Sequence, residues 1–212
     1  PLELTWSGGR LFFTADDGVS GRELWVSPGP GQGATRVRDI RPGASGSQPA
    51  ELIDLGGILY FRADDGTSGL ELWRSDGTRR GTVPLGLPAL FISNFGTSYA
   101  VAGNRLFFEG CTDAFGCELW VSDGSEDGTR MVADLSDFQG NLEEITAVGD
   151  RVFFLMGNQL WHSDGTAEGT VPVRTFSNNR PRQLTALGNR LFLAAESGTD
   201  GQELWVSDGT AA

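Results

Sequence analysis

Lysine is absent from this chain: all 16 basic residues are arginine, set against 28 aspartates and glutamates, for a formal net charge of −12 over 212 residues. Affinity for nucleic acid rests on clustered cations that displace counterions from phosphates, so this balance excludes DNA and RNA as partners. Histidine occurs once, at His162, leaving no second imidazole for a triad or a histidine metal site; it reads as a surface residue. No apolar run approaches the roughly 18 residues that a bilayer crossing needs, so no membrane span is expected. No leader-like segment is present, and a start at Pro1 reads as processing or excision. Helical apolar periodicity is missing too, and 31 Gly with 9 Pro favour short strands and tight turns. Cysteine is limited to Cys111 and Cys117, which flank Thr112-Asp113-Ala114-Phe115-Gly116. Two thiols cannot complete a tetrahedral metal site, and their spacing suits a disulfide across a hairpin base, two free thiols being the alternative. A disulfide implies an oxidising compartment, hence an extracellular or cell-surface location.

What the chain has in abundance is one motif. Leu-Trp-x-Ser occurs at Leu24-Trp25, Leu72-Trp73, Leu119-Trp120, Leu160-Trp161 and Leu204-Trp205, with tryptophans 48, 47, 41 and 44 residues apart. That period fits one four-stranded propeller blade per repeat. Within each unit a short strand a meets a Gly-Gly, Gly-Asn or Gly-Asp turn, then an aromatic strand b such as Leu11-Phe12-Phe13, then the Leu-Trp strand c. Strand c ends in Ser-Asp-Gly-Thr, a turn in which Asp bonds its own backbone, and strand d follows. Pro84 and Pro172 would break a central ladder, so strand d is expected at the outer edge. The expectation is an all-β, five-bladed β-propeller of four-stranded antiparallel blades. It forms one domain over 1–212, with units at about 1–48, 49–95, 96–141, 142–180 and 181–212. The last blade lacks its outer strand, which reads as excision from a longer repeat chain or as an edge that pairs with another molecule.

The segments Glu71-Leu72-Trp73-Arg74-Ser75-Asp76-Gly77-Thr78 and Glu203-Leu204-Trp205-Val206-Ser207-Asp208-Gly209-Thr210 resemble the ELWxxDGT repeat family over essentially the whole chain. Such repeats occur in large secreted or surface proteins of bacteria, notably myxobacteria, and are sometimes labelled hyalin-like. The order of aromatic strand, polar turn and Val-rich strand is similar, more weakly, to the YWTD propellers. The resemblance implies a secreted or surface module and no catalytic activity. Two departures stand out: unit one has Pro28-Gly29-Pro30 in place of Asp-Gly-Thr, and unit four lacks both the Glu and the b–c loop.

One Trp per blade at a fixed position is what packing between blades requires, so the motif tryptophans read as frame. Trp6 is the exception, standing where the other units have Asp54, Val101, Ala147 and Ala186, and it is a candidate channel or ligand residue. Further ligand candidates lie where the units differ on the long-loop side: Phe91, Asn94, Phe95, Tyr99, Phe115, Phe138, Phe176 and Asn178. Glu3, Glu51 and Glu144 share one position near the start of the inner strands, with Ser98 and Gln183 in the other units; ringed about an axis they would hold a hard cation. Asp16-Asp17 and Asp64-Asp65 open loops that resemble short calcium turns without the EF-hand spacing, with Asx turns as the other reading. No cofactor is required, and calcium is the one candidate. The expected function is non-enzymatic extracellular recognition or adhesion, binding a glycan or protein through the long-loop face. The alternatives are a metal-binding structural module and a glycoside hydrolase using axial carboxylates.

Overall fold

The computed structural model describes residues 1–86, 99–135, 142–176, 180–196 and 201–209. All of its regular structure is β, with no helix among the described residues, and it forms five antiparallel sheets. The first contains β1 (Leu2–Ser7), β2 (Arg10–Asp16), β3 (Arg22–Ser27) and β4 (Thr35–Arg36). The second contains β5 (Ala50–Leu55), β6 (Ile58–Asp64), β7 (Leu70–Ser75) and β8 (Val83–Pro84), and the third β9 (Tyr99–Ala102), β10 (Arg105–Thr112), β11 (Gly116–Ser122) and β12 (Arg130–Met131). The fourth contains β13 (Leu142–Val148), β14 (Arg151–Met156), β15 (Gln159–Ser163) and β16 (Val171–Thr175). The fifth has three strands among the described residues: β17 (Arg182–Leu187), β18 (Arg190–Glu196) and β19 (Gln202–Ser207). Strand order follows chain order in every sheet, as hairpin connections dictate. Pro84 and Pro172 lie in the outermost strands, where a missing N–H breaks no inner ladder.

By proximity of the chain the molecule divides into two compact units. One comprises Pro1–Ile92 with Gly124–Glu126, the other Ser93–Asp123 with Asp127–Ala212. Each unit builds its core by the same rule, because strand alternation gives every sheet two apolar faces. In the first unit Phe12, Leu24 and Val26 of one sheet cover Leu59, Phe61 and Trp73 of the next. In the second, Phe107, Leu119 and Val121 meet Val152, Phe154 and Trp161, and Phe153 and Leu160 meet Leu191, Leu193 and Trp205. We call the Phe12–Leu24 side of a sheet its leading face and the Trp side its trailing face. Trp73 and Trp161 are buried; Trp205 is half-buried, with Phe176 edge-on at 5.6 Å and Arg174 over its ring at 4.5 Å.

The Ser-Asp-Gly-Thr turn is closed by its own side chains. The Ser75 hydroxyl bonds the Thr82 hydroxyl at 2.7 Å, Asp76 accepts from the Thr78 N–H at 2.8 Å, and Thr78 Oγ1 accepts from the Gly81 N–H at 3.0 Å. The turn at 163–170 repeats the pattern, with Ser163 to Thr170 at 2.8 Å. Neighbouring sheets use these turns as anchors: Arg10 donates to the Asp76 carbonyl and Arg105 to the Asp164 carbonyl. At the inner turns the first two sheets touch backbone to backbone, and a Cβ on Gly8, whose φ is +54°, would lie 2.5 Å from the Gly57 carbonyl oxygen.

Candidate functional site

The b–c loops of the first two sheets are fixed by their own carboxylates. Asp16 accepts from Gly18 N–H at 2.7 Å, while Asp17 accepts from Val19 and Ser20 N–H at 2.9 and 2.7 Å and faces Arg36 at 3.6 Å. Asp64 accepts from Gly66 N–H at 2.7 Å and pairs with Arg41 at 2.5 Å; Asp65 accepts from Thr67 and Ser68 N–H at 2.8 and 2.7 Å. Those backbone donors, Ser20 and Ser68 foremost, hold Asp17 and Asp65 below the ordinary carboxylate range. Asp16, Asp17, Asp64 and Asp65 thus form Asx turns, the oxygens facing their own loops and two arginines.

Glu3, Glu51 and Glu144 each turn to partners within or beside their own sheet. With Gln183 they sit at a register slip between strands a and b, in left-handed backbone with φ of 55°, 58°, 53° and 60°. That bulge turns the side chain toward the neighbouring sheet. Glu3 accepts from the Leu52 N–H at 3.2 Å while Thr5 donates to the Leu52 carbonyl at 3.2 Å. Glu144 and Thr146 clasp Leu184 in the same way, at 2.7 and 3.4 Å. Glu51 pairs with Arg62 at 3.3 Å. Among the described residues no group of three or more His, Cys, Asp or Glu comes together to hold a metal ion; Ser98 lies outside them.

The residue whose work sequence reasoning missed is the glutamate ahead of Leu-Trp. Glu23 is fully buried and accepts from the N–H groups of Ile40, Arg41 and Ser47 at 3.3, 3.1 and 3.0 Å and from the Ser47 hydroxyl at 2.6 Å. It thereby ties the link that leads out of the first sheet to the start of β3, where Arg22 forms a parallel bridge with Gly46. Glu118, also buried, accepts from the Leu135 N–H at 2.9 Å. Burial raises the pKa of Glu23 and Glu71 and carries Glu118 to about 7, Asp134 adding to the push on Glu118. The recurrence of Glu at one place was the available signal, but a glutamate beside apolar residues does not announce that it is buried.

Of the ligand candidates, Phe91, Asn94, Phe95, Phe138 and Asn178 lie outside the described residues. Phe176 is corrected: it is buried under Trp205, in the core between the last two sheets. Tyr99 is half-buried on β9 with its ring 6.2 Å from Phe108. Trp6 is 56% exposed on β1, and Phe115 is 49% exposed at a hairpin tip closed by the Cys111–Cys117 disulfide, whose two residues face each other across β10 and β11. His162, expected at the surface, is half-buried with its ring 6.0 Å from Phe153, and burial lowers its pKa.

At the b–c end of the last two sheets a cleft of about 320 Å³ is lined by Glu143, Glu144, Arg180, Arg182, Glu196 and Gln202 among others. Arg180 pairs with Glu143 at 2.8 Å and Arg182 donates to Gln202 at 2.8 Å, so both guanidinium groups are held at the walls. In the first two sheets Asp64, the counterpart of Glu196, is instead neutralised by Arg41. The cleft thus sets cationic and anionic groups side by side.

Fold and sites together define an all-β chain of propeller-like type. No family model matches it, and no curated protein does. Among solved structures it is similar to a puromycin hydrolase (TM-score 0.61, 15% identity, 98% of this chain and 36% of that one). It is also similar to an uncharacterized protein of Listeria monocytogenes (0.55, 9%, 99% and 64%). A third is the computationally designed protein Ika8 (0.52, 17%, 100% and 59%). The chain spans between about a third and two thirds of the length of these structures. At such identities the likeness is one of fold.

Proposed function

We propose that the five sheets are the blades of a five-bladed propeller of ELWxxDGT type, serving as a non-enzymatic recognition module of a secreted or surface protein. It binds a protein partner through the loop end that carries the Arg180–Arg182–Glu196 cleft. The observation that carries this reading is the cleft's mixed charge on a rigid frame, present in one sheet pair and filled by an ion pair at the corresponding place in another. A repeated glycan site would recur between blades, whereas one asymmetric patch suits an extended peptide with both charges. The disulfide supports an extracellular setting. The carboxylates with raised pKa, Glu23, Glu71 and Glu118, lie on the Leu-Trp strands and not among the cleft's lining residues, and Glu23 and Glu118 hold backbone N–H groups, which weighs against an acid–base pair.

A displayed random-peptide library tests the reading, alongside a glycan array. Mixed-charge peptides are expected to be enriched, and Arg182→Glu should weaken them about tenfold or more by reversing a wall charge. A repeated glycan hit that Arg182→Glu leaves unchanged selects a lectin instead.

A further inference from the structure

Between the first two sheets the connecting link supplies its own cation. Arg41 of that link pairs with Asp64 at 2.5 Å, and its stem lies so close on the b–c loop that a Cβ on Gly66 would sit 3.0 Å from its Nε. Asp64 ends β6, and Glu196 ends β18 at the same place in the fifth sheet. The link into the fifth sheet also carries an arginine, but Arg180 goes elsewhere, to Glu143 on β13 at 2.8 Å. One position accounts for the difference. Glu143 stands opposite Leu155 as Leu2 stands opposite Thr14, each just ahead of the left-handed glutamate, so the fourth sheet offers a carboxylate where the first offers an alkyl chain. Half-buried Glu196 is therefore left at the cleft with no ion pair or hydrogen bond to any described residue.

We propose, on the reading of this cleft as a peptide site, that the bound peptide seats an arginine side chain on Glu196 as Arg41 sits on Asp64. The other described carboxylates of the cleft are already engaged, Glu143 by Arg180 and Glu144 by the Leu184 N–H, so Glu196 is the anion left for a ligand. A guanidinium is the group that the equivalent carboxylate already accepts. Its planar fork matches the two oxygens of a carboxylate, whereas a lysine ammonium meets them as a compact and more strongly hydrated point charge. Arg182 sets the direction of approach. It is held by Gln202, which faces Glu196 across β18 and β19, and its guanidinium keeps donors to spare. It repels a second guanidinium and attracts an acceptor, so the peptide turns a carbonyl or an acidic side chain toward Arg182 while its arginine lies on the Glu196 side. That arrangement explains why a site for one basic residue also favours a negative group next to it.

The test takes peptides selected from the random display library on the full chain and titrates each by fluorescence anisotropy against the wild type and Glu196→Gln. The glutamine keeps the shape of the side chain, and a melting curve checks that the variant is folded. Each peptide is also made with citrulline in place of its arginine, which keeps the shape and removes the charge. The selected peptides are expected to share an arginine. Glu196→Gln and citrulline should each weaken binding about tenfold, and together no more than either alone, because both break one contact. Losses that add, to about a hundredfold for the pair, would mean that the two groups do not meet and would overturn the inference. A selected set without a shared basic residue overturns it as well, and a lysine peptide that binds as tightly as its arginine parent overturns the assignment to a guanidinium. In each of these cases peptides that Arg182→Glu weakens still mark the cleft as the binding site. A library that yields no peptide overturns the inference together with the reading on which it rests.

Discussion

In the first sheet the side chain ahead of Leu-Trp is Glu23; in the fourth it is Gln159. Glu23 collects three N–H groups and a hydroxyl from a link that leaves β4 after two strand residues and must be brought back against β3. Gln159 instead follows a tight turn at Gly157-Asn158, and its outer strand β16 runs five residues alongside β15, continued by Phe176 N–H donating to Asn158 at 2.9 Å. Gln159 spends its amide on Thr175 at 3.1 Å and its carbonyl on the Trp161 indole at 3.1 Å. The difference teaches that this position serves the link: where the outer strand itself carries the chain onward, a buried carboxyl is dispensable, and an amide takes its place.

The largest effect that would break this comparison is truncation at the two places. Glu23→Ala leaves three buried N–H groups without acceptors, and at roughly 1–3 kcal/mol for each unmet buried donor, softened by relaxation and entering water, a loss of about 3–4 kcal/mol is expected. Gln159→Ala removes two partly exposed hydrogen bonds and should cost about 1 kcal/mol or less. Urea titrations of both variants decide it. Equal costs would mean that Glu23 is ornamental to the link.

Next in size is the pH dependence that buried glutamates impose. A carboxyl whose folded pKa is raised stays protonated in the native state after the unfolded chain has lost its proton, so stability falls as pH rises between the two values. For Glu118 that window runs from 4.5, the ordinary glutamate value, to about 7, and the drop is on the order of 2–3 kcal/mol. Glu23 and Glu71 act in the same direction. Asp17, Asp65, Asp76 and Asp164, all lowered, work the opposite way and lose their contribution as pH falls below about 3.8. The melting temperature should therefore peak near pH 5 and decline toward pH 8, and Glu118→Gln should flatten most of that decline. A wild-type melt that rises from pH 5 to 8 would contradict the buried, proton-holding role.

Much of the frame was legible because it repeats. Trp73 and Trp161 are buried where the motif places them, the prolines stand in outer strands, and Asp76 and Asp164 close their turns. The site was less so. The spacing shows a Glu at one repeated inner position but not the bulge that turns Glu3 and Glu144 onto the next sheet's backbone, a register slip of one residue that no residue type signals. Phe176 differs from its counterparts as a loop residue would, yet it packs beneath Trp205. The charged cleft draws Glu143 and Arg182 from separate strands, a juxtaposition that only the pairing of sheets creates.

The smallest effect concerns the clasp on the inner strands. Glu3 is exposed and makes one bond to the neighbouring sheet, at 3.2 Å, while its φ of 55° lies where a side chain is strained. Alanine keeps the strain and loses the bond, so Glu3→Ala should cost about 0.5–1 kcal/mol. Glycine loses the same bond but is relieved of a left-handed penalty of about 1 kcal/mol, so Glu3→Gly should come out near the wild type and above Glu3→Ala. Millimolar calcium should leave all three melts unchanged if the carboxylate serves as a clasp. A wild-type melt that calcium raises, and that Glu3→Ala deprives of the rise, would return Glu3 to the role of a ligand.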